Sequence, residues 1–339
     1  MNPELRRAIE TYMQDLARLN GVTNVSQTFA VSPPVEATLE KKIQESSEFL
    51  SKISIIGVRD QVGRRISISV KGPIARRTDT KKDDRQARDP HDTTDDGYQA
   101  HKTEFDTAID YDTLDAWSMF PEFQTNVRDM IVRQQALDRI VIGFHGKSVA
   151  AKSDPTANPM LEDMNIGWLE LQRQKAPQRV LKTTASSGAN VVKVGPNGKY
   201  KNLDALVFDA LNALDPWYRR RTDLVVLCSR NMLGAKYFPV INQVAKPTEK
   251  VATEILMSAR HLGGLPPVDL PFFPDNTLAI TTFDNLAIYY QKGSRRRHLV
   301  ENPKRDRIEN YESVREAYVL QDYGLLAMVE NIQIEPEAA

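Results

Sequence analysis

Apolar residues recur at helical spacing along the first part of the chain. A stripe within residues 5–19 predicts a short amphipathic helix that ends at Asn20-Gly21. A second stripe within residues 35–50 predicts another helix. Between the two lies a polar, β-branched linker that ends in Pro33-Pro34, where proline forces extended backbone. An extended polar linker is accessible to a protease.

Beyond the second helix the pattern changes to period two. Residues 54–59 and 66–70 alternate apolar with polar side chains, which predicts two half-buried strands of a hairpin. Residues 76–97 contain almost nothing apolar and cannot form a core, whereas residues 98–111 alternate again and predict a returning strand. Residues 54–111 are therefore predicted to form a long two-stranded arm, which is marginal in water unless a neighbour packs on it.

The remaining pattern mixes helices and strands and predicts a compact α+β fold, with a distinct central lobe from about 191 to 290. A short helix leads through Pro121 into a long helix at about 122–143, and a further helix is closed by Pro177. Asn197-Gly198 predicts a hairpin. The run 223–229 predicts a strand that is covered on both faces. Helices are also predicted at 202–214, 230–241 and 249–262, and strands at 265–290.

Near the end of the chain, basic and acidic side chains interleave almost one for one from Asn302 to Gly324. The apolar residues of this segment fit neither strict alternation nor a helical stripe. It has no histidine, cysteine or serine placed beside a base, so it is a poor candidate for part of an active site. Both faces carry charges to be paired, and we predict that the partners are other copies of the same protein.

The composition fits a folded protein, with 41% hydrophobic and 27% charged residues among 339. Its 45 basic and 45 acidic residues cancel, which argues against a dedicated DNA-coating protein and allows self-association. The single cysteine, Cys228, leaves no internal disulfide and suits a reducing cytoplasm. The sequence shows no signal peptide and no apolar run of about 20 residues, the length that spans a bilayer.

Candidate catalytic chemistry is sparse. Cys228 lies in an apolar run, where core packing is the usual role of a cysteine. The five histidines show no metal-binding spacing, and the Gly-Lys pair at 198–199 is not followed by Ser or Thr as a phosphate-binding loop requires. Asp110 and Asp112 could contribute to a magnesium site, although Asp112 also suits a helix cap. A metal- or nucleotide-dependent enzyme using these aspartates is one alternative function.

Two arginine clusters, at 219–221 and 295–297, suggest nucleic-acid binding as a second alternative. Neither cluster is interleaved with aromatic residues or glycines, and acidic residues follow each. Solvated surface, or surface that forms salt bridges between subunits, is the favoured interpretation. Either alternative would leave the unsupported arm at 54–111 unexplained.

Ordered blocks over essentially the whole chain resemble the major capsid proteins of tailed bacteriophages of the peduovirus type. These blocks include QESSEFLSKISII, ARRTDT, NPMLEDMNIGWLELQRQKAPQRVL, KNLDALVFDALN, DPWY, DLVVLCSRNMLGAKYFPVIN, LPPVDLPFFP and NLAIYYQKGSRRRHLVENPKRDRIENYES. The resemblance implies the tailed-phage capsid fold of the Hong Kong ninety-seven type. The division it implies is a cleaved prosegment at 1–30, an N-terminal arm at 31–53, an extended β loop at 54–111, a peripheral domain with a spine helix at 112–190, an axial domain at 191–290, and peripheral return strands at 291–339.

The resemblance also implies a function without catalysis or cofactors. Copies of the chain would form the pentamers and hexamers of an icosahedral shell around double-stranded DNA, assembled in the bacterial cytoplasm with no membrane involved. Further partners would be a scaffolding protein, a maturation protease and a portal protein. Similar proteins lose an N-terminal peptide, and we place that cleavage after Phe29, before Ala30. Lys81 or Lys82 as a covalent cross-linker is not carried over from this subfamily.

Charged residues of both signs are the candidates for contacts between copies, because alternating charges let identical edges pair while disfavouring wrong registers. Exposed ion pairs add only about 0 to 1 kcal/mol each, so they would set specificity more than strength. The candidates are Arg64, Arg65, Arg76, Arg77, Lys81, Lys82, Asp83, Asp84, Arg305, Asp306, Arg307, Glu309, Glu312, Arg315 and Glu316.

Overall fold

The computed structural model describes residues 3–65, 75, 77–85, 97–117, 123–182, 190–234, 236 and 261–335. The chain divides into two compact units, each assembled from three separate segments. The first unit comprises Met1–Gly63, Gln99–Glu170 and Ala287–Val319. The second comprises Arg64–Tyr98, Leu171–Leu286 and Leu320–Ala339.

Helices form where the apolar spacing predicts them. The α-helices are α1 Pro3–Asn20, α2 Pro33–Glu45, α3 Glu48–Lys52, α4 Tyr111–Trp117, α5 Phe123–His145, α6 Trp168–Lys175 and α7 Leu203–Ala210. The predicted end of the first helix at Asn20 and the short-then-long pair before and after Pro121 are confirmed. The second predicted helix is two helices, because Ser47 leaves helical geometry and its hydroxyl caps α3 by accepting from the Leu50 N–H at 3.4 Å.

The strands of the described residues are grouped in four sheets. They are β1 Phe29–Ala30, β2 Ser54–Val58, β3 Val62–Arg64, β4 Gly97–Gln99, β5 His101–Glu104, β6 Thr107–Asp110, β7 Val180–Leu181, β8 Val192–Val194, β9 Val225–Cys228, β10 Pro267–Asp269, β11 Leu278–Thr281, β12 Leu286–Gln291, β13 Arg296–Asn302, β14 Arg307–Leu320, β15 Ala327–Val329 and β16 Ile332–Ile334. In the first unit a seven-stranded sheet has the order β1-β13-β14-β12-β2, and β5 and β6 also pair with β14. The charged segment that begins at Asn302 thus supplies the long central strand of this sheet.

The pairing of residues 54–111 differs from the predicted hairpin and returning strand. β2 runs parallel to β12, with Ser54 opposite Ala287. β5 and β6 both run antiparallel to β14, with Thr103 opposite Val314. β3 and β4 do pair with each other in a two-stranded sheet. Alternation predicted the strands but not their neighbours, and residues 66–70 lie outside the described part of the chain.

Aromatic residues pack the core of the first unit. Trp168 is fully buried and meets Phe144 and Tyr318 edge to face, with ring centroids 5.2 and 5.3 Å apart. Its indole N–H donates to the Ala287 carbonyl at 3.0 Å, which satisfies the polar end of the ring. Gly143 of α5 lets the indole approach, because a Cβ there would lie 2.2 Å from Trp168 Cζ3.

The second unit contains a five-stranded sheet in the order β10-β9-β11-β15-β7. All four residues of β9 are buried, which confirms the strand covered on both faces. Helix α7 is capped by Asn202, whose side-chain oxygen accepts from the Ala205 N–H at 2.8 Å, and it contributes Leu206 and Val207 to the same core. Cys228 is 1% exposed in that core, so the packing interpretation is confirmed.

The hairpin predicted at Asn197-Gly198 is wrong. β8 pairs in parallel with β16, with Val192 opposite Ile332, and the Asn-Gly pair lies in a tight turn closed by the Gly198 N–H to the Gly195 carbonyl at 3.0 Å. The helix predicted at 249–262 falls almost wholly outside the described residues. Within the described segments, no helix is both long and apolar enough to cross a membrane.

Candidate functional site

The predicted processing bond, between Phe29 and Ala30, lies in a paired strand. β1 runs antiparallel to β13, with Phe29 opposite Arg297 and Ala30 opposite Arg296. The Phe29 side chain is 8% exposed, whereas Ala30 is exposed. The extended backbone is as expected, but the bond is engaged in a sheet rather than lying in an open linker.

The segment before that bond packs on β13 and β14 through an apolar cluster of its own. Leu16 of α1 is buried there with Phe29 and Leu299, and Ile308 is partly buried against them. The backbone contributes as well, since the Leu299 N–H donates to the Val25 carbonyl at 3.0 Å. The cluster therefore joins residues from both sides of the predicted cut.

Next to this cluster lies an apolar cavity of about 120 Å³. Residues of α1 form one wall, and residues of α4, α5, β6 and β14 form the others. The apolar lining includes Ile9, Tyr12, Ile109, Leu114, Ile131 and Ile308. Helix α1 thus covers this face of the unit without filling it completely.

A buried network of ion pairs connects α2, α5, β13 and β14. Arg139 is fully buried and binds two carboxylates, with Nη1 2.8 Å from Glu40 Oε2 and Nε 2.9 Å from Glu316 Oε1. Arg295, also fully buried, pairs with Glu40 and with Glu312. Glu40 therefore bridges the two arginines, and the helices and the sheet are joined through charged groups.

A third arginine completes the charge balance of the network. Arg297 Nε lies 3.6 Å from Glu312 Oε2 and is 17% exposed, so three arginines face three glutamates. Because isolated charges are costly to bury, this balance is what allows the cluster to lie in the core. Two of its atoms, Arg295 Nε and Glu316 Oε2, have no hydrogen-bond partner among the described residues.

The electrostatics of the network favour the ionised forms of Glu40 and Arg139. Burial by itself would raise the pKa of Glu40, but attraction to Arg139 and Arg295 outweighs burial and lowers that pKa to about 2. Burial also disfavours the charged form of Arg139, yet Glu316 and Glu40 raise its pKa well above the usual value. Glu40 and Arg139 therefore hold their charges near neutral pH.

Glu36, one turn before Glu40 on α2, is buried in a different way. Its Oε2 accepts from the Gly293 N–H at 2.8 Å, while Oε1 has no hydrogen-bond partner in the described structure. Burial raises the pKa of Glu36, although Gly293 and Arg295 act in the opposite direction. The surroundings of Glu36 thus favour its neutral form more than water does.

The contact candidates on β14 divide into buried and exposed residues. Glu312 and Glu316 are 3% and 0% exposed, and both are paired with arginines of the same chain. Glu309 is also buried and accepts from Arg307 Nε at 2.7 Å. Their charges are balanced within one subunit, which differs from the expectation that the partners are other copies. Arg315 Nη1 donates to Gln291 at 3.3 Å.

The turn before β14 and the charged loop remain at the surface. Arg305 and Asp306 are exposed, and so are Arg64, Arg77 and the run Lys81, Lys82, Asp83 and Asp84. Arg65 differs, because Nη1 donates to the Leu320 carbonyl at 2.9 Å and its guanidinium lies 4.7 Å from the centroid of the Tyr323 ring. Arg76 lies outside the described residues.

The residues considered for catalysis or nucleic-acid binding do not converge. Asp110 and Asp112 are both exposed, and the described residues contain no group of three or more side chains suited to hold a metal. Burial raises the pKa of the Cys228 thiol to about 12, which leaves it unreactive. Of the second arginine cluster, Arg295 is fully buried, so its assignment to the surface was wrong.

The ion network was missed in the sequence, although a signal was present. Arg139 lies within the apolar run ALDRIVIGF, and a charge in the apolar part of a long helix needs a buried partner. Glu36 and Glu40 occupy the apolar side of α2 at a spacing of four. Periodicity does not reveal which distant residues would pair with them.

Comparison with known proteins defines the class. The fold matches a chain of the solved structure of the satellite phage P4 procapsid including size determination (Sid) protein, with a TM-score of 0.84, 39% identity and full coverage of both chains. The class is therefore a phage capsid protein, and the predicted α+β tailed-phage capsid fold is confirmed.

Two curated relatives and a family model give the family. The chain is 42% identical to the capsid protein of Escherichia phage P2 over 98% of its length and 96% of the relative's. It is 39% identical to the major capsid protein of Serratia phage KSP20, covering 98% of both. The model for the phage major capsid protein, P2 family, matches residues 8–332. The chain belongs to the P2 family of phage major capsid proteins.

Membership of this family confirms the resemblance stated from the sequence. The chain is a structural protein of the virion rather than an enzyme, and copies of it assemble into the capsid shell. The neutral overall charge is consistent with that role.

Proposed function

We propose that this chain forms the icosahedral head shell of a tailed phage through scaffold-assisted assembly in the host cytoplasm. Pentamers and hexamers of the chain would build a procapsid that encloses double-stranded DNA, with a portal protein at one vertex. The observation that carries the proposal is membership of the P2 capsid family over 8–332. The balanced charge supports it, because a neutral chain contacts packaged DNA non-specifically at most.

The proposal includes removal of residues 1–29 by a maturation protease. The exposed residues Ser26, Gln27 and Thr28 directly before Phe29 give such a protease a place to engage the chain. Because the backbone of β1 is paired with β13, cleavage after Phe29 would require this short strand to open first. Two residue pairs hold it, so the opening is a local event rather than unfolding of the unit.

Contacts between copies would come from the exposed candidates. These are the turn at Arg305 and Asp306 and the charged loop near Lys81 to Asp84, which carry both signs of charge at the surface. The ion network would act inside each subunit by fixing α2 and α5 against the sheet, so that the surface contacts are presented in one geometry. The domain division given from the sequence, including the extended loop at 54–111 and the axial domain at 191–290, is part of the same proposal.

Coexpression tests this function. The chain is made alone and with its neighbouring scaffold gene, and the products are compared by electron microscopy and by intact-mass measurement. We expect closed shells that become uniform with the scaffold, and a mature chain that begins near Ala30. A stable small oligomer with an intact N-terminus under both conditions would contradict the proposal.

A further inference from the structure

We propose that the apolar face formed by β13, β14 and the first half of α5 is a docking surface for a second copy of this chain, which residues 1–29 cover until they are released. The inference rests on the proposed function, in which the chain is cut near Phe29. It adds a role for the segment, namely that the segment occupies an assembly surface before cleavage.

The apolar face binds the amphipathic helix α1 in the structure. Leu16 is 7% exposed against Leu299, and Tyr12 lies at the edge of the same cluster. The backbone is engaged too, through the Val25 carbonyl and through the pairing of Phe29 with β13. Helix and strand of the segment therefore use two properties of the face, its apolar side chains and its strand edge.

Release of residues 1–29 would uncover apolar side chains of β13, β14 and α5. Leu299 is 5% exposed, and its shielding comes from the same cluster as Leu16 and Phe29. Ile131 and Ile308 are half-buried and line the same cavity as Ile9 and Tyr12 of the segment. Loss of the segment turns a cavity into a contiguous apolar patch, and patches of this kind mark interaction sites.

The strand edge would be uncovered together with the patch. Without residues 1–29, the Leu299 N–H loses its acceptor at Val25, and Arg297 loses its partner at Phe29. An unpaired edge beside an apolar patch is a template for an added strand or extended segment. The uncovered surface can thus bind through both side chains and backbone.

The molecule that binds the uncovered surface follows from the composition of a capsid shell. The family assignment supplies one partner in many copies, which is the chain itself. In a shell every copy has neighbours at very high local concentration, so a surface freed on each copy meets another copy before any scarce component. Such a contact would repeat from copy to copy through the symmetry of the shell. A second copy is therefore the occupant we assign.

The experiment uses a cut that is independent of the natural protease. A recognition sequence for a site-specific protease is inserted after Gln27, in the exposed run before β1, and the purified full chain is cut after folding. This cut frees α1 and Val25, which cover the apolar patch, and leaves Phe29 paired with β13. A photo-crosslinking amino acid replaces Ile131, with Val127 one turn earlier as a second probe position. The matched control is the same amino acid at exposed Arg133, about 200° around the helix from Ile131.

Before cutting, we expect the probe at Ile131 to crosslink within one chain to residues 1–29, with no dimer-mass product. After cutting, we expect loss of that product, gain of a dimer-mass product with peptides of a second copy, and faster sedimentation. The probe at Arg133 should not switch. The inference is overturned if the probe at Ile131 still crosslinks to the cut segment, or if no dimer-mass product forms. It is also overturned if, with scaffolding protein added, the probe crosslinks to the scaffolding protein and not to a second copy. Failure of natural processing near Phe29 would refute only the proposed cleavage, because the engineered cut does not depend on it.

Discussion

The buried ion network makes Arg139 a decisive residue for the stability of the first unit. We consider the substitution Arg139→Met, which keeps an extended side chain in the same space and removes the charge. Glu40 retains Arg295 as a partner, but Glu316 loses its ion pair with Arg139 and remains fully buried. The variant therefore leaves an unpaired carboxylate in the core.

The expected loss can be worked from the contacts. Arg139 donates to Glu40 at 2.8 and 3.1 Å, to Glu316 from Nε at 2.9 Å, and to Glu316 from Nη2 as well, so four charged hydrogen bonds disappear together. Removing one partner of a buried pair costs about 3–5 kcal/mol, mostly because the remaining charge is uncompensated. Adding Glu316→Gln to Arg139→Met removes that charge, so we expect the double variant to be more stable than Arg139→Met alone.

The assay is urea unfolding of the purified full chain at pH 7, followed by intrinsic fluorescence. The control is Glu45→Gln, which breaks the pair between Lys41 and Glu45, 3.6 Å apart with side chains 75% and 62% exposed, and should cost about 0–1 kcal/mol. A loss below about 1 kcal/mol for Arg139→Met, or a double variant no more stable than the single one, would refute this reasoning.

Three further predictions follow from the same unit. The pKa of Glu40 is lowered from 4.5 to about 2, which contributes about 3 kcal/mol at most to stability. This contribution is complete above about pH 4.5 and is lost as the pH falls toward 2. Glu40→Gln should therefore flatten the dependence of unfolding free energy on acid pH, and an unchanged dependence would count against the network. Burial raises the pKa of Glu36, so its charge opposes folding at pH 7, and Glu36→Gln should stabilise the chain by up to about 1 kcal/mol in urea, whereas a loss would show that the charge is needed. Gly143→Ala should lower the melting temperature, because the added methyl group conflicts with the Trp168 ring. That conflict costs about 1–3 kcal/mol and exceeds the gain of roughly 1 kcal/mol in helix propensity. A higher melting temperature would contradict the close approach of the Trp168 ring to Gly143.

Local patterns predicted individual elements well. The apolar spacing of α5 and the continuous apolar run of β9 were sufficient, because each element buries residues that are close in sequence. Strand neighbours were not predicted, since β2 pairs with β12 and β5 pairs with β14 across most of the chain. Period-two alternation identifies a buried face and contains no information about which strand lies beside it.

The charged segment shows the same limit for the site. Its alternating charges predicted that both faces of the strand need partners, and the structure confirms that need for Glu312 and Glu316. The partners are Arg295 and Arg139 of the same chain, which no spacing along the segment could reveal. The extended backbone at Phe29 was predicted from the linker, but its pairing with β13 depends on residues far along the chain.

The most direct test of the account is a cryo-electron microscopy map of DNA-filled particles made from this chain. The account predicts a closed shell in which density for each subunit begins near Ala30, with the Arg139 network intact inside the subunit and the face at Leu299 contacting a neighbouring copy. Density for residues 1–29 still packed on β13 in DNA-filled particles, with that face away from every neighbour, would contradict it.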